Sequence, residues 1–402
     1  MKDAKAIIEA VENNNVAAIA KLVKDGTLVL EGNTLKFPAA QGKIYAEYWD
    51  KLQLVKKLMG NGSYGAILNA GCLFNDRRMG QSATLTGRMI VKGMTEEINN
   101  FIAGKPDHLG DSVLYNDTDS CYFTAWPMVK DDVEGGRIEW SKEIAIKLYD
   151  SVADHVNKCF PEIMEKNFNC PLKYGEIIKA GREIVATSGL FITKKRYALL
   201  YYDKDGKRYD TGCEGKVKAM GLDLKRADTP QIVQVFLLDV LTDVLHGVDQ
   251  ELILDKIVKF KELFKAMKPW EKGSPKRVNN LTKYSAKETA KGTAAMPGHV
   301  RAAKNWNTLR EMNRDNYSMP IRDGQKCIVC KIKPNAMGWT SVAYPTDELR
   351  LPDWFIELQF DEKEMEKAIV NQKLENLLGV LGWDILDSVT EENTFSSLFT
   401  IE

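Results

Sequence analysis

Two strand-like runs, Ser112 to Leu114 and Cys121 to Thr124, are separated by Tyr115-Asn116-Asp117-Thr118-Asp119-Ser120, so the chain must reverse direction between them. Asp and Asn favour such turns because their side chains bond their own backbone, and runs this close together are most simply joined as a hairpin. The turn places two carboxylates one residue apart. Oxygen ligands suit a hard cation such as Mg²⁺, and a tight turn brings them together at low strain. A solvated hairpin tip would have the same composition, and the turn alone does not separate the two readings.

Upstream lies a second constellation, Lys56-Lys57-Leu58-Met59-Gly60-Asn61-Gly62-Ser63-Tyr64-Gly65. Ile44, Tyr48, Leu52, Val55 and Met59 recur at steps of three and four, which predicts an amphipathic helix over 42–60. Gln53, Lys57, Asn61 and Tyr64 then fall on the opposite face, an ordered row of cation, amide and phenol able to meet a triphosphate, a sugar and a base edge. Gly60 and Gly62 each disfavour helix by about 1 kcal/mol relative to Ala, so their presence points to a bulky group approaching the backbone. A helix end with glycine caps and solvent-facing Lys fits the same residues.

Together these segments resemble family B DNA polymerases. Lys57-x-x-x-Asn61 followed by Ser63-Tyr64-Gly65 is similar to that family's fingers motif, with Gly62 and Ser63 where the family has Ser and a variable residue. Tyr115 to Ser120 resembles its palm motif Tyr-Gly-Asp-Thr-Asp-Ser, with Asn116 in place of Gly. Lys194-Lys195-Arg196-Tyr197, running into Ala198-Leu199-Leu200, resembles the segment that holds the primer end. The resemblance runs from about residue 40 onward and is strongest to replicative polymerases of T-even-like bacteriophages, through Met220-Gly221, Thr229-Pro230, Asp323-Gly324-Gln325-Lys326 and a short apolar tail.

The resemblance implies an α+β, partial right-hand fold: fingers at 1–66, palm at 67–218, and a mainly helical thumb at 219–402. It also implies DNA-directed DNA synthesis with two Mg²⁺ ions. Asp119 and Asp117 would be the catalytic and metal-binding carboxylates, Asp119 the more direct. Lys57 and Asn61 would meet the incoming dNTP, with Tyr64 against the template base. Gly65, Lys194, Lys195, Arg196 and Tyr197 would lie along primer-template DNA. Phe395, Leu398, Phe399 and Ile401 form an apolar tail that would dock on a sliding clamp. The family's first palm motif, Asp-x-x-Ser-Leu-Tyr-Pro-Ser, has no counterpart, since Asp111-Ser112-Val113-Leu114-Tyr115 has the wrong spacing and lacks the Pro. The exonuclease motifs and the basic first fingers helix are missing too. The expectation is therefore a C-terminal subunit that acts with an N-terminal polymerase/exonuclease chain. A non-catalytic subunit that binds DNA and tethers a clamp, or an inactive relic, is the alternative.

Composition fits a soluble intracellular protein, and the resemblance implies the cytoplasm of a phage-infected bacterial cell. Of 402 residues 44% are hydrophobic, enough for real cores, yet no run approaches the roughly 18 apolar residues of a membrane span. The seven cysteines are scattered, as reduced thiols are. Cys327 and Cys330 have half-zinc-site spacing, but they lie in an alternating strand-like run, where positions three apart face opposite ways. Net charge is zero, but its distribution is uneven. Between Lys272 and Arg310 the cations Lys272, Lys276, Arg277, Lys283, Lys287, Lys291, Arg301, Lys304 and Arg310 meet only Glu288. With Asn305 and Trp306, this stretch is expected to form a DNA-facing surface, because phosphate binding needs local rather than total basicity.

Overall fold

A computed structural model describes residues 15–31, 34–36, 39–105, 112–285 and 296–383, together with positions 7, 10 and 13. The chain packs as two units, 1–92 and 93–402. The boundaries expected at 66/67 and 218/219 fall inside a helix and inside a strand, because motifs mark function along the chain whereas compact units follow packing.

The first unit holds α1 (Val16–Lys24), capped by the Asn15 side chain, which accepts from the Ala18 amide at 3.1 Å. The antiparallel pair β1 (Val29–Glu31) and β2 (Thr34–Lys36) follows. Next come the long helix α2 (Ala39–Leu68) and the first part of α3 (Arg77–Ala103). The helix predicted over 42–60 extends to Leu68, straight through Gly60, Gly62 and Gly65. A tertiary contact offsets the glycine penalty there. Leu68 lies against Gly80, where an added Cβ would stand 2.2 Å from Leu68 Cδ2. Tyr64 adds a hydrogen bond from its hydroxyl to the Gly80 carbonyl at 3.4 Å. The predicted apolar stripe is not buried. Ile44, Val55 and Met59 are all exposed, as are Trp49, Leu54 and Leu58 off the stripe.

In the second unit the predicted hairpin forms from β3 (Val113–Asp117) and β4 (Ser120–Phe123), with Asp117 opposite Ser120. Helices α4 (Trp126–Glu134) and α5 (Lys142–Phe168) follow, α5 being capped by Ser141 and closed by Asn169 in the left-handed region. A larger sheet is built on the long hairpin of β5 (Ile184–Thr193) and β6 (Arg196–Lys204). Strand β7 (Lys207–Arg208) and strand β8 (Lys216–Met220) both pair with β6. Helix α6 (Gln231–His246) covers this sheet and packs on α7 (Gln250–Ala266), with Phe236 stacked on Phe260 at 3.7 Å.

Further on, β9 (Ser274–Arg277), β10 (Lys326–Lys331) and β11 (Ser341–Pro345) make a three-stranded antiparallel sheet under α8 (Gly298–Met312). The described chain ends in α9 (Glu362–Glu366) and α10 (Gln372–Leu378), joined by a π-helical turn. One continuous apolar core runs from Leu190, Ala198 and Leu200 of the β5–β6 hairpin to Leu374 and Leu378. The α+β class expected from the sequence is what is observed. Among the described residues no helix is long and apolar enough to cross a membrane.

The expected DNA-facing surface of the basic stretch is corrected by this core at four residues. Trp306 is fully buried, its indole N–H donating to the Met319 carbonyl at 2.9 Å, and Asn305 is buried with its amide donating to the Ser341 carbonyl. Lys272 is buried and bonds the Lys265 carbonyl and Glu362, while Lys276 pairs with Asp228 at 2.8 Å. These groups hold the core and its rim together, so they are not a nucleic-acid face. Cys327 and Cys330 are both fully buried, because β10 is covered on both faces, and burial pushes the Cys327 thiol up to about 12. Residues Lys287, Glu288 and Lys291, like the tail residues Phe395, Leu398, Phe399 and Ile401, lie outside the described residues.

Candidate active site

A two-residue hairpin loop needs a positive φ to match the twist of its strands. Thr118 supplies it at the tip of β3–β4, with φ +48°. The β5–β6 hairpin turns in the same way over Lys194 and Lys195, with Lys195 at φ +64°. Both positions cost about 1–2 kcal/mol for a residue with a Cβ, and in each case surrounding contacts hold the strain. Lys195 is held from several directions. Its amide donates to the Tyr115 hydroxyl at 2.7 Å, its ammonium meets Asp117 Oδ1 at 3.0 Å, and its carbonyl lies against Gly221. Gly221 itself takes φ +64°, and a Cβ there would stand 2.1 Å from the Lys195 oxygen.

Beneath the two tips the hairpins are joined by four aromatic rings. Tyr115, Tyr122, Phe191 and Tyr197 lie at centroid distances of 5.0–5.9 Å, in mostly tilted or edge arrangements that such rings prefer. The Tyr122 and Tyr197 hydroxyls share a hydrogen bond at 2.6 Å. Burial and that bond hold the Tyr197 phenol well above its ordinary range. Tyr197, 4% exposed, is thus a support for the Lys194-Lys195 tip. Arg196 is engaged elsewhere, paired with Asp223 at 3.2 Å, whereas the Lys195 side chain stays 62% exposed beside its ion pair.

The turn gives its two carboxylates different surroundings. Asp117 accepts from the Thr118 hydroxyl at 3.1 Å, and the Lys195 ammonium, with that hydroxyl's help, holds its carboxyl below the ordinary value of 3.8. Asp119 is exposed and lines a cavity of about 760 Å³, together with Ser120, Phe123, Tyr149, Arg182 and Phe191. An exposed aspartate at the edge of a cavity offers the hard donor that a cation such as Mg²⁺ takes, with remaining positions left for water and phosphate. On that chemistry Asp119 fits a metal ligand directly, and Asp117 fits one only while sharing its charge with Lys195.

Asn116, which stands where the resembling motif has Gly, donates from Nδ2 to Thr95 Oγ1 of α3 at 3.1 Å. Its cross-strand partner Cys121 lies against the same Thr95, and burial pushes that thiol up to about 12. Sequence reasoning missed Thr95 and the supporting roles of Gly221 and Tyr115. Each acts across a long sequence separation, and no local spacing signals it. Of the other expected site residues, Lys57, Asn61 and Gly65 lie exposed along α2 in the first unit, and Tyr64 is half-buried there. Among the described residues no atom lies within 4 Å of a Cβ built on Gly60, Gly62 or Gly65, apart from the helix's own backbone and the neighbouring residues.

Residues 33–307 match the model of DNA polymerase family B. The chain is 25% identical over 313 residues to a DNA-directed DNA polymerase of Escherichia phage RB69, covering 73% of this chain and 33% of that one. It is 23% identical over 312 residues to a DNA-directed DNA polymerase of Enterobacteria phage T4, with the same shares covered. A DNA polymerase of Pyrococcus glycovorans is 27% identical over 225 residues, covering 56% of this chain and 23% of that one. The chain thus spans about a third of the length of the phage relatives it matches.

Proposed function

The chain belongs to DNA polymerase family B, and from that premise we propose that it forms the C-terminal part of a DNA-directed DNA polymerase, with fingers, palm and thumb segments in that order. The observation that carries this reading is the pair of facing hairpin tips, where Lys195 fixes Asp117 while Asp119 is left open beside a cavity. In this reading Asp119 holds a divalent cation at the reacting phosphate, and Asp117 keeps the turn in shape and adds negative field. When bound, Mg²⁺ at such a site acidifies a coordinated hydroxyl and neutralises charge on phosphate oxygens. Lys57 and Asn61 neutralise and orient the triphosphate of a dNTP, Tyr64 lies by the template base, and Lys194 and Lys195 meet the primer strand. The open backbone at Gly60 and Gly62 gives a nucleotide room to approach α2.

The first acidic palm motif is absent from these 402 residues, so the reading requires a second carboxylate-bearing strand, which we propose is supplied by an N-terminal polymerase/exonuclease chain. It places the protein in the cytoplasm of a phage-infected bacterium. The apolar tail, Phe395 to Ile401, is the proposed clamp contact. Primer extension tests the whole reading. This chain alone is expected to give negligible product, and the mixture with the complementing chain robust product that Asp119→Ala abolishes. Template-dependent synthesis by the highly purified chain alone would sink the divided-site reading. DNA binding without extension in any mixture would favour a tethering subunit instead. Deleting residues 395–402 is expected to remove clamp-dependent product length and to leave short-primer extension intact.

A further inference from the structure

Helices α3 and α5 approach closely at Gly93, where an added Cβ would stand 2.7 Å from Ile163 Cγ2. From that point the two helices run past each other with falling numbers on one matching rising numbers on the other. Glu97 faces His155 and Cys159, and the Phe101 ring stacks on the His155 ring at 4.3 Å. His155 and Cys159 are four apart on α5, so they share one helix face. One carboxylate oxygen of Glu97, the imidazole of His155 and the sulfur of Cys159 lie within 4.8 Å of one another, all half-buried.

The arrangement differs from a proton relay in one respect. A relay through imidazole uses both ring nitrogens, one for each neighbour. Here Glu97 Oε2 at 3.9 Å and Cys159 Sγ at 3.7 Å both approach the same atom, His155 Nε2. A ring nitrogen carries one proton or one lone pair and cannot serve both partners well. Donors of three kinds converging on a point are instead what a metal ion gathers. For zinc bond lengths of about 2.0–2.3 Å at tetrahedral angles, neighbouring ligand atoms stand about 3.4–3.6 Å apart; the two separations at His155 Nε2 are 3.9 and 3.7 Å, and all three atoms lie within 4.8 Å of one another. A thiolate with an imidazole selects a borderline-soft ion over Mg²⁺ or Ca²⁺.

We propose that Glu97, His155 and Cys159 form a zinc site that clips α3 to α5, separate from the Asp117–Asp119 hairpin and not dependent on the polymerase reading. Three protein ligands leave the fourth position to water, which the partial exposure of all three residues permits. Phe101 fixes the plane of the imidazole, the part that a hydrogen-bonded neighbour plays around many metal-bound histidines. Binding would release the Cys159 proton and tie the two helices together at one point.

Titration of the full chain with Co²⁺ under reducing conditions and without DNA is the test. One equivalent is expected to give thiolate-to-cobalt charge-transfer absorption, displaced by Zn²⁺. Cys159→Ser is expected to remove the band, and His155→Gln and Glu97→Gln to weaken binding by about tenfold or more. Circular dichroism of the metal-free variants checks that they fold. His155→Gln supplies the same readout should Cys159→Ser prove unstable. No charge-transfer band in the unaltered chain would overturn the proposal, as would a band that survives at full affinity in both variants.

Discussion

At the scale of single residues, the two aspartates of one turn do different work because one has a partner and the other does not block its own access. Asp117 is held below 3.8 first by the Lys195 hydrogen bond, and Lys195 is held above 10.5 by the same bond. The depressed carboxyl contributes stability that is fully present above about 3.8 and is lost as pH falls through its folded value; the raised ammonium contributes below 10.5 and is lost as pH rises through its own. The tip-to-tip contact is therefore expected to hold across the neutral range and to loosen in strong acid. Lys195→Met should return the Asp117 carboxyl upward toward its ordinary value, which carboxyl-carbon NMR titration would read, and an unmoved Asp117 would mean that the pair does not form in solution. Asp119 is exposed and bonded to little, so Asp119→Ala should change unfolding free energy by no more than about 0.5 kcal/mol. In the assembled polymerase the same change should slow incorporation by about a thousandfold or more, the equivalent of several kcal/mol of transition-state stabilisation. Lys57→Ala should instead weaken dNTP dependence and slow chemistry together in single-turnover incorporation, and unchanged values for both would take it out of the site.

At the scale of elements, the same residue type has opposite consequences according to what the fold places beside it. Gly221 follows β8 in the left-handed region with the Lys195 carbonyl packed close against it, so Gly221→Ala should destabilise by more than about 2 kcal/mol in denaturant unfolding. Gly62 is in ordinary helix with open space beside it, so Gly62→Ala should leave stability unchanged or raise it by about 0.5–1 kcal/mol. A loss of stability there would show that α2 is not helical through Leu68. If that variant folds well yet uses dNTP poorly, the approach of a nucleotide to α2 gains support. The β3–β4 hairpin and the body of α2 were legible in the sequence because turn chemistry and period are local. The extension of α2 was not, because Gly80, which receives Tyr64 and Leu68, lies beyond the turn that follows the helix. The destination of Trp306 was hidden for a like reason. Lys and Arg around it suggest a surface, and only the fold brings Met319, Trp354 and Phe355 around the indole.

At the scale of the molecule, the acidic motif rests on the least self-sufficient sheet of the second unit. Among the described residues β3 and β4 pair only with each other, and an isolated pair of strands is marginal without packing on another element. The aromatic contacts to Phe191 and Tyr197 support one side. On another side the hairpin borders the 760 Å³ cavity, whose walls include Leu114, Cys121 and Phe123 from the hairpin and Val152 and Val156 from α5. This was partly legible: the acidic turn and the absence of a second acidic motif could be read from residues, but the space beside the turn could not, since α5 and β5 bound it from distant positions. Apolar walls around open volume, next to unpaired strand edges, favour association with another strand. The proposed function needs a strand there to bring a second carboxylate to Asp119. The complementing chain is therefore expected to bind tightly, with an interface of the obligate type and more than about 2,000 Å² of buried surface. Leu114→Glu, at an exposed position on β3 facing that cavity, should weaken the association while leaving the isolated chain folded. Sedimentation of the mixed proteins at micromolar concentration decides the matter: a single heterodimer for the unaltered chain and a dissociating mixture for Leu114→Glu are expected. Independent monomers in both cases would mean that the cavity is not where the second carboxylate enters.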